Sequence, residues 1–450
     1  MGGQHYLPLT EEERQEMFAR IGVKSGDEFF ADIPKKVLFQ GEMNLPPALS
    51  EPEALKHLGD LAAKNKNTRD TISFLGAGVY EHFIPTVVNH VTGRSEFYTS
   101  YTPYQPEISQ GVLQAIFEYQ TMICQLTGMD VANASLYDGA TALAEGAIIA
   151  CGSTRRDQVL VSRSVSPYYR EVLKTYLNAR GLILDEIPMV EGKADREVLS
   201  DILAQGKTAA LILQQPNFFG LLEDMAGVAD MVHKNGALLI MAVDPVSLPL
   251  VQAPAEYGAD IVAGEGQGLG NPSSFGGPLL GFFAARKKLI RKMPGRIVGE
   301  TVDNEGNRGY VLTLQTREQH IRRERATSNI CSNQALNALA AAAHMAALGP
   351  AGLREVAELC LQKAAYAKDK ITALPGFEVA FPGSYFKEFA IKLPGEAGAL
   401  AGELLKNNIL GGFNLTSHYP ELGDSTLFCV TEKRTREEID LLVQVLEGWK

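Results

Sequence analysis

A stretch of small and hydroxylated residues precedes a predicted helix and could bind an anion. Residues 133–142 have the sequence Asn-Ala-Ser-Leu-Tyr-Asp-Gly-Ala-Thr-Ala, and the helix begins near Ala140. Small residues let an anion approach the free backbone N–H groups at the positive end of a helix dipole. Ser135, Gly139 and Thr141 are the candidate contacts, and the two hydroxyls would be additional donors. An ordinary glycine turn with a capping side chain would give the same pattern.

An acidic residue follows the most apolar predicted strand. Asp244 comes directly after Leu238–Val243 and precedes Pro245. Open α/β sheets bind ligands at the carboxyl ends of their strands. In enzymes that use pyridoxal phosphate (PLP), such an acid keeps the pyridine nitrogen protonated, so that the ring can draw electrons from a carbanion. A capping aspartate at a strand end is the equally good alternative.

A PLP enzyme also needs a lysine for its Schiff base, and the sequence lacks one where it is expected. The lysine should follow the next predicted strand, Asp260–Ala263, but residues 264–278 contain none. The next lysines, Lys287 and Lys288, belong to a basic run that predicts an exposed helical face. A Schiff-base lysine is tuned by burial or by cationic neighbours, so an exposed cluster suits it poorly. The sequence therefore predicts a cofactor cradle without its anchor.

Two further stretches are rich in polar and aromatic side chains. Residues 97–111 form a proline-containing loop, and loops carry binding functions more often than core segments do. Residues 317–329 are highly charged and could contact the anion site of a neighbouring subunit. A rigid surface loop and a solvated helical face with ion pairs are the respective alternatives. The candidates for a site shared between subunits are Tyr98, Tyr101, Tyr104, Gln105, Glu107, Arg323, Thr327 and Asn329.

The composition is that of a globular protein with an acidic surface. Of the 450 residues, 45% are hydrophobic and 21% are charged, and the net charge is −11. Nucleic acids and anionic membranes need a basic surface, so neither is expected as a partner. The five widely spaced cysteines indicate free thiols in a reducing compartment. No signal-peptide pattern and no apolar run of membrane-spanning length is recognised, so a cytoplasmic location is expected.

The elements that must position these residues alternate between strands and helices. Residues 1–70 predict a helical extension, with helix caps at Thr10 and Ser50. Residues 71–335 predict a doubly wound, mostly parallel sheet covered by helices, including a helix at 112–127 that stops at Gly128. Residues 336–450 predict a small α+β domain after a break at Gly349 and Pro350. The predicted sheet strands are Gln158–Ser162, Leu182–Ile187, Ala209–Leu213, Leu238–Val243 and Asp260–Ala263, with Leu279–Ala284 as a further candidate.

At these residues the chain resembles the P-protein family of the glycine cleavage system, also called glycine dehydrogenase (decarboxylating). More closely, it resembles subunit 1, the N-terminal half of the split, two-chain form of this family. The resemblance covers essentially the whole chain and rests on long runs of residues, so it is highly specific. These runs are residues 74–78, 101–111, 133–145, 293–301 and 317–334.

The resemblance implies a PLP-dependent transferase architecture of fold type I in which two homologous halves pair. It implies that subunit 2, the partner, carries the lysine in a His-Lys-Thr context and binds PLP. Ser135, Gly139, Thr141 and Asp244 would then be remnants of a cofactor site. The complex would decarboxylate glycine and transfer the aminomethyl group to the lipoyl arm of H-protein. Ser166 stands where the family pattern leads us to expect a histidine, so no ring stacking is expected there.

Two alternatives remain open from the sequence. The chain could be a non-catalytic scaffold that only stabilises its partner, or a standalone PLP enzyme that uses Lys287 or Lys288. An αβ pair and an α2β2 assembly fit the sequence equally well.

Overall fold

The computed structural model describes residues 8–39, 41, 43–330 and 332–449. The chain divides into two compact units, one that ends at Lys66 and one that begins at Asn67. The first unit contains α1 (Glu11–Ile21) and α2 (Glu51–Ala62). Each helix begins with a capping box, formed by Thr10 and Ser50, which confirms the predicted caps. Neither helix has a buried residue.

The second unit begins with helices and short strands that flank the candidate stretches at residues 97–111 and 133–142. Its first elements are β1 (Ile72–Ser73), α3 (Thr86–Thr92), α4 (Ser95–Tyr98), α5 (Gln110–Thr127), β2 (Val131–Ala132) and α6 (Gly139–Thr154). Helix α5 ends at Gly128, as predicted, where φ is 69° and glycine adopts the left-handed conformation without strain. Asp138 caps α6 by accepting a hydrogen bond from the backbone N–H of Thr141.

Strands and helices then alternate as the sequence predicts. The elements are β3 (Gln158–Ser162), α7 (Pro167–Asn178), β4 (Ile183–Ile187), β5 (Met189–Val190), β6 (Lys193–Ala194), α8 (Arg196–Leu203), β7 (Thr208–Gln215), α9 (Val228–Lys234), β8 (Leu238–Val243), β9 (Ile261–Glu265) and β10 (Gly281–Ala285). Strands β3 and β8 have the predicted bounds, because each is a continuous apolar run that the fold buries.

The central sheet has seven strands in the order β2-β10-β9-β8-β7-β3-β4. Strands β9, β8, β7, β3 and β4 are parallel, whereas β10 runs antiparallel to both β9 and β2. One face of the sheet packs against α5, α8 and α9, and the other face packs against α6 and α7. This architecture confirms the predicted α/β class, with a mostly parallel sheet covered on both faces.

The remaining elements form a hairpin, a long helix and a smaller sheet. They are β11 (Ile297–Val302), β12 (Arg308–Thr313), α10 (Gln319–Arg322), α11 (Ala335–Thr372), β13 (Glu378–Val379), β14 (Glu388–Lys392), α12 (Ala397–Lys406), β15 (Ile409–Leu410), β16 (Phe413–Asn414), β17 (Ser425–Cys429) and α13 (Arg436–Gly448). The smaller sheet is antiparallel, in the order β13-β14-β17-β16. Strand β1 pairs in parallel with β15, so the start of the second unit joins the C-terminal region.

Helix α11 contains the predicted break. Gly349 leaves the helical conformation (φ 61°, ψ −178°) just before Pro350, so two helical stretches meet there at a sharp kink. The helix is long and apolar enough to span a membrane by length and composition. However, Ala341 and Ala357 are buried in the core beneath the central sheet, as in the core helix of a globular protein.

Candidate functional site

Two acidic residues lie at the carboxyl edge of the central sheet. Asp244 follows β8 and Glu265 ends β9, and these strands are parallel neighbours, so their ends meet at one edge. Between these side chains lies a cavity of about 30 Å³, which Ser166 and Tyr169 also line. This volume has room for about one or two water molecules. A cavity of this volume does not hold PLP.

A lysine from the smaller sheet occupies the position beside Asp244. The Nζ atom of Lys387 lies 2.7 Å from Oδ2 of Asp244 and 3.4 Å from the centre of the Tyr80 ring. The Lys387 side chain is only 2% exposed. Burial alone would lower the pKa of Lys387, but the facing Asp244 carboxylate raises it above its ordinary value. A buried ion pair thus closes the site.

This ion pair brings to the cradle a lysine that the sequence analysis did not single out. In a PLP enzyme the acid pairs with the pyridine nitrogen, and the aldehyde carbon lies across the ring from that nitrogen. A lysine in contact with the acid therefore lies at the pyridine-nitrogen end of such a site, opposite the end where an aldehyde would be anchored. Lys387 was missed because it precedes β14, far along the chain from Asp244. The available signal was a Lys-Glu pair at the start of an otherwise apolar strand.

Glu265 fills the predicted anion site at the start of α6. Its carboxylate accepts hydrogen bonds from the backbone N–H groups of Gly139 (3.0 Å), Gln267 (2.9 Å) and Leu280 (2.8 Å). Burial raises the pKa of Glu265 to about 7, against the lowering effect of these three donors. One backbone donor of the predicted anion site, the Gly139 N–H, is therefore already bonded to a carboxylate of the chain itself.

The two candidate hydroxyls have other partners than an anion. Oγ of Ser135 accepts hydrogen bonds from the Asn333 side chain and the Gln334 backbone, each at 3.1 Å. Oγ1 of Thr141 donates to the carbonyl oxygen of Asp138, and it accepts from the Asp138 backbone N–H, which completes the capping box of α6. Both hydroxyls therefore make contacts within the chain that fix the loop.

Lys387 also belongs to a buried hydrogen-bond network. Its ammonium lies 3.0 Å from Nε2 of His82, whose Nδ1 lies 2.7 Å from Oε2 of Glu432. The Cys360 thiol lies 3.4 Å from the same carboxylate oxygen. Burial raises the pKa of Glu432, but the hydrogen bonds from His82 and the Phe83 backbone outweigh it and lower the pKa to about 2. The ring nitrogens of His82 are both used within this network, which leaves neither of them free for a metal.

Lys287 and Lys288 lie away from this edge. The Lys288 ammonium pairs with Asp260 at 2.6 Å, and Asp260 immediately precedes β9. Glu265 is at the other end of the same strand, so Lys288 and Asp244 lie at opposite edges of the sheet. Both lysines are exposed, as the basic run predicts.

The structure brings part of the loop at residues 97–111, called the tyrosine loop below, to the charged segment at residues 317–329. The Tyr104 ring meets the His320 ring edge-on, with centroids 6.3 Å apart, and His320 and Arg323 line a cleft of about 390 Å³. The remaining candidates are surface residues: Tyr98, Tyr101, Gln105, Glu107 and Asn329 are exposed, and Thr327 is half-buried. Among them Tyr101 is 89% exposed, so its ring has almost no cover within the chain.

Arg296 is a residue of this region that site prediction missed. Its Nη2 donates to the hydroxyl oxygen of Tyr104 at 2.9 Å, and its Nη1 donates to Oδ1 of Asn333 at 3.3 Å. Asn333 in turn donates to Ser135. The sequence offered one signal, the Met-Pro-Gly-Arg run at 293–296, which entered only as part of the family resemblance.

Comparison with known proteins identifies the family. The model of the glycine cleavage system P-protein family matches residues 4–446. The protein named "Probable glycine dehydrogenase (decarboxylating) subunit 1" of Moorella thermoacetica is 57% identical over 443 residues, which cover 98% of this chain and 99% of that relative. The protein of the same name from Listeria monocytogenes is 54% identical over 450 residues, the full length of both chains.

Solved structures agree with this assignment. The crystal structure of a glycine decarboxylase (P-protein) of the glycine cleavage system, in inhibitor-bound form, has a TM-score of 0.92 and 44% identity, and the match covers 99% of this chain and 100% of that chain. Glutamate decarboxylase of Lactobacillus brevis, at 12% identity and a TM-score of 0.70 over 94% of this chain and 96% of that chain, shares the fold. The chain belongs to the glycine cleavage system P-protein family.

Proposed function

We propose that this chain is the subunit of a two-chain glycine dehydrogenase (decarboxylating) that does not itself bind PLP. The observation that carries the proposal is the buried ion pair between Lys387 and Asp244. It supplies the acid with an internal cation where PLP would present its pyridine nitrogen. Glu265 supports the same conclusion, because its carboxylate takes the Gly139 N–H, a backbone donor at the start of α6 that a phosphate would use.

In the proposed complex, subunit 2 carries the Schiff-base lysine and holds PLP, and the substrates are glycine and the lipoylated H-protein. The bond between Cα and the carboxylate of glycine breaks, and CO2 leaves. The electron pair left on the aminomethyl carbon forms a bond to one sulfur of the lipoyl disulfide. The S–S bond breaks, and the second sulfur takes a proton. PLP supplies the electron sink for the decarboxylation.

The contribution of this chain is to complete the active site of its partner. Support comes from the tyrosine loop, where Tyr98 and Tyr101 expose large aromatic surfaces. Further support comes from Arg323, a cation beside a cleft large enough for a small substrate. A charged donor of this kind favours anionic oxygens by charge-assisted hydrogen bonding. The scaffold role remains the alternative, and it predicts no effect of these side chains on turnover.

The cofactor part of the proposal is tested with the isolated chain. PLP is added and reduced with borohydride, and the products are mapped by mass spectrometry, with isolated subunit 2 as the positive control. We expect no stoichiometric pyridoxyl-lysine in this chain and no aldimine absorbance. A stoichiometric label on Lys387, Lys287 or Lys288 would overturn the proposal and favour a standalone PLP enzyme.

The shared-site part is tested with assembled complexes. Complexes carrying Arg323→Ala, Thr327→Ala or Tyr101→Phe are assayed for glycine–bicarbonate exchange with H-protein present. Loss of one positioned donor slows turnover by about 10²–10³-fold. Arg325→Ala is the matched control, because Arg325 is an exposed arginine of the same segment. If all three variants assemble and exchange like the control, the shared site is refuted and the scaffold role stands.

A further inference from the structure

Arg296 carries a buried charge that no carboxylate among the described residues pairs with. The residue is 5% exposed. Within the described part of the chain, its side-chain hydrogen bonds run to two neutral oxygens, in Tyr104 and Asn333. Its Nε is buried without a hydrogen-bond partner among the described residues. Buried charges are ordinarily paired because desolvation is costly, so an unpaired arginine indicates an anion that arrives from outside the chain.

The hydrogen bond between Arg296 and Tyr104 has only one direction. A guanidinium donates and cannot accept, so the Tyr104 oxygen is the acceptor. The phenolic proton of Tyr104 must then point to another partner. The guanidinium also lies 5.3 Å from the centre of the Tyr104 ring. Because hydrogen bonds in a chain polarise one another, a hydroxyl that accepts from a cation becomes a better donor.

Tyr104 presents this proton at the surface of the chain. Its ring is about half exposed and contacts His320, which lines the cleft that also holds Arg323. The neighbouring loop residues Tyr101 and Ile108 are almost uncovered, at 89% and 81% exposure. A polarised donor at the surface, bordered by an uncovered rim of large side chains, fits an oxyanion held by another subunit.

We propose that Tyr104 and Arg296 form an oxyanion-recognition pair for a ligand that the lysine-bearing subunit holds. Tyr104 donates its hydroxyl proton to an anionic oxygen, and Arg296 is the positioning residue that orients and polarises that hydroxyl. The ligand chemistry is a carboxylate or phosphate oxygen, from the glycine carboxylate or from the phosphate of bound PLP. This inference rests on the proposed function, because the anion belongs to the assembled complex.

The test uses complexes of both subunits with Tyr104→Phe, assayed with glycine, bicarbonate and lipoylated H-protein. Loss of a positioned donor should lower kcat/KM for glycine by about 10²-fold. If the anion is the glycine carboxylate, KM for glycine rises and PLP stays bound on dialysis. If it is the cofactor phosphate, the complex loses PLP on dialysis, and added PLP restores turnover. Either result supports the pair. A Tyr104→Phe complex with the kcat/KM and the PLP retention of the wild type would overturn it.

Tyr366→Phe is the matched control. Tyr366 also has an arginine, Arg436, over its ring, but its hydroxyl donates to Asp440 on α13. The variant should match the wild type in kcat/KM and in PLP retention. A wild-type complex without glycine exchange would refute the proposed function itself. An active wild type with an equally active Tyr104→Phe complex would refute the pair alone.

The role of Arg296 is separated from a merely structural one by a double-mutant cycle. Arg296→Lys keeps the charge but loses the planar geometry that serves two acceptors. If Arg296 acts through Tyr104, Arg296→Lys lowers kcat/KM alone but causes no further loss in the Tyr104→Phe background. Losses that multiply would show that Arg296 does not act through Tyr104. Thermal unfolding of each complex verifies that the compared variants are folded.

Discussion

The ammonium of Lys387 lies 2.7 Å from the carboxylate of Asp244, and both side chains are inside the protein. The pair connects the end of a central strand, β8, to the start of β14 in the smaller sheet. In a buried position, the attraction between the two charges offsets their loss of hydration only while both charges are present. The pair therefore ties the two sheets together and makes each partner dependent on the other.

We expect Lys387→Met to be strongly destabilising, since it leaves Asp244 buried without a counter-ion. The free energy of unfolding should fall by about 3–5 kcal/mol, as measured by denaturant titration. Replacing both charges, in Lys387→Met with Asp244→Leu, should recover part of that loss. Lys406→Ala is the control: Lys406 and Glu403 form an exposed pair, worth about 0–1 kcal/mol. Equal losses of unfolding free energy in Lys387→Met and in the Lys406→Ala control would contradict the structural role of the buried pair.

The sequence predicts the architecture well where one local signal is sufficient. Strands β3 and β8 are apolar runs that the sheet buries on both faces, and α5 stops at a glycine that takes the left-handed conformation. Thr10 and Ser50 have the acidic residue three positions later that completes a capping box. Cys124, Cys151, Cys360 and Cys429 are free thiols, as expected, and Cys331 lies outside the described residues.

The contents of the site could not be predicted, because they depend on contacts between distant segments. Asp244 was recognised from its place after a strand, but its partner Lys387 lies in the other sheet. Glu265 ends an apolar strand, and its contact with the N–H of Gly139, which is distant in the sequence, becomes visible only in the fold. Arg296 was missed for the same reason, since its partners come from two separate loops.

The start of α6 should not tolerate a side chain at Gly139. A Cβ atom there would lie 2.7 Å from the backbone nitrogen of Glu265 and would also overlap the Tyr169 hydroxyl. We expect Gly139→Ala to lower the free energy of unfolding by about 1–3 kcal/mol, the usual cost of overpacking. Gly152→Ala, in the same helix with open space around the new methyl group, should instead gain about 0.5–1 kcal/mol. Denaturant unfolding of both variants is the measurement, and a tolerated Gly139→Ala would show that the site is looser than the structure indicates.

Glu388 should make the protein less stable as the pH rises. Burial raises its pKa from 4.5 to about 7, against the lowering effect of hydrogen bonds from the Ala77 backbone and the Tyr80 hydroxyl. Between these two pKa values, the Glu388 carboxyl of the folded state keeps a proton that the unfolded state has lost. The free energy of unfolding therefore falls between about pH 4.5 and pH 7, by about 1.4 kcal/mol for each unit of pKa difference.

Glu388→Gln should reduce this pH dependence, because the amide does not titrate and can serve both hydrogen-bond partners. The measurement is denaturant unfolding at several pH values across the window. Some slope should remain, since burial also raises the pKa of Glu265 to about 7 and acts in the same direction. Parallel stability curves for the wild type and Glu388→Gln would show that Glu388 does not take up a proton in the folded state.

A substitution at Ile108 should weaken the assembly of the two subunits without destabilising the isolated chain. The Ile108 side chain is 81% exposed at the end of the tyrosine loop, so it adds little to the stability of the isolated chain. Ile108→Ser should therefore change the free energy of unfolding by no more than about 0.5 kcal/mol. If the loop lies against subunit 2, covering this side chain contributes about 1.5–3 kcal/mol, and its loss should raise the Kd of the complex by about tenfold or more. Val190→Ser, an exposed aliphatic residue on strand β5, is the control and should leave Kd unchanged. Calorimetric titration of each variant with purified subunit 2 measures its Kd. Equal Kd values for Ile108→Ser and Val190→Ser would place the partner on another face of the chain.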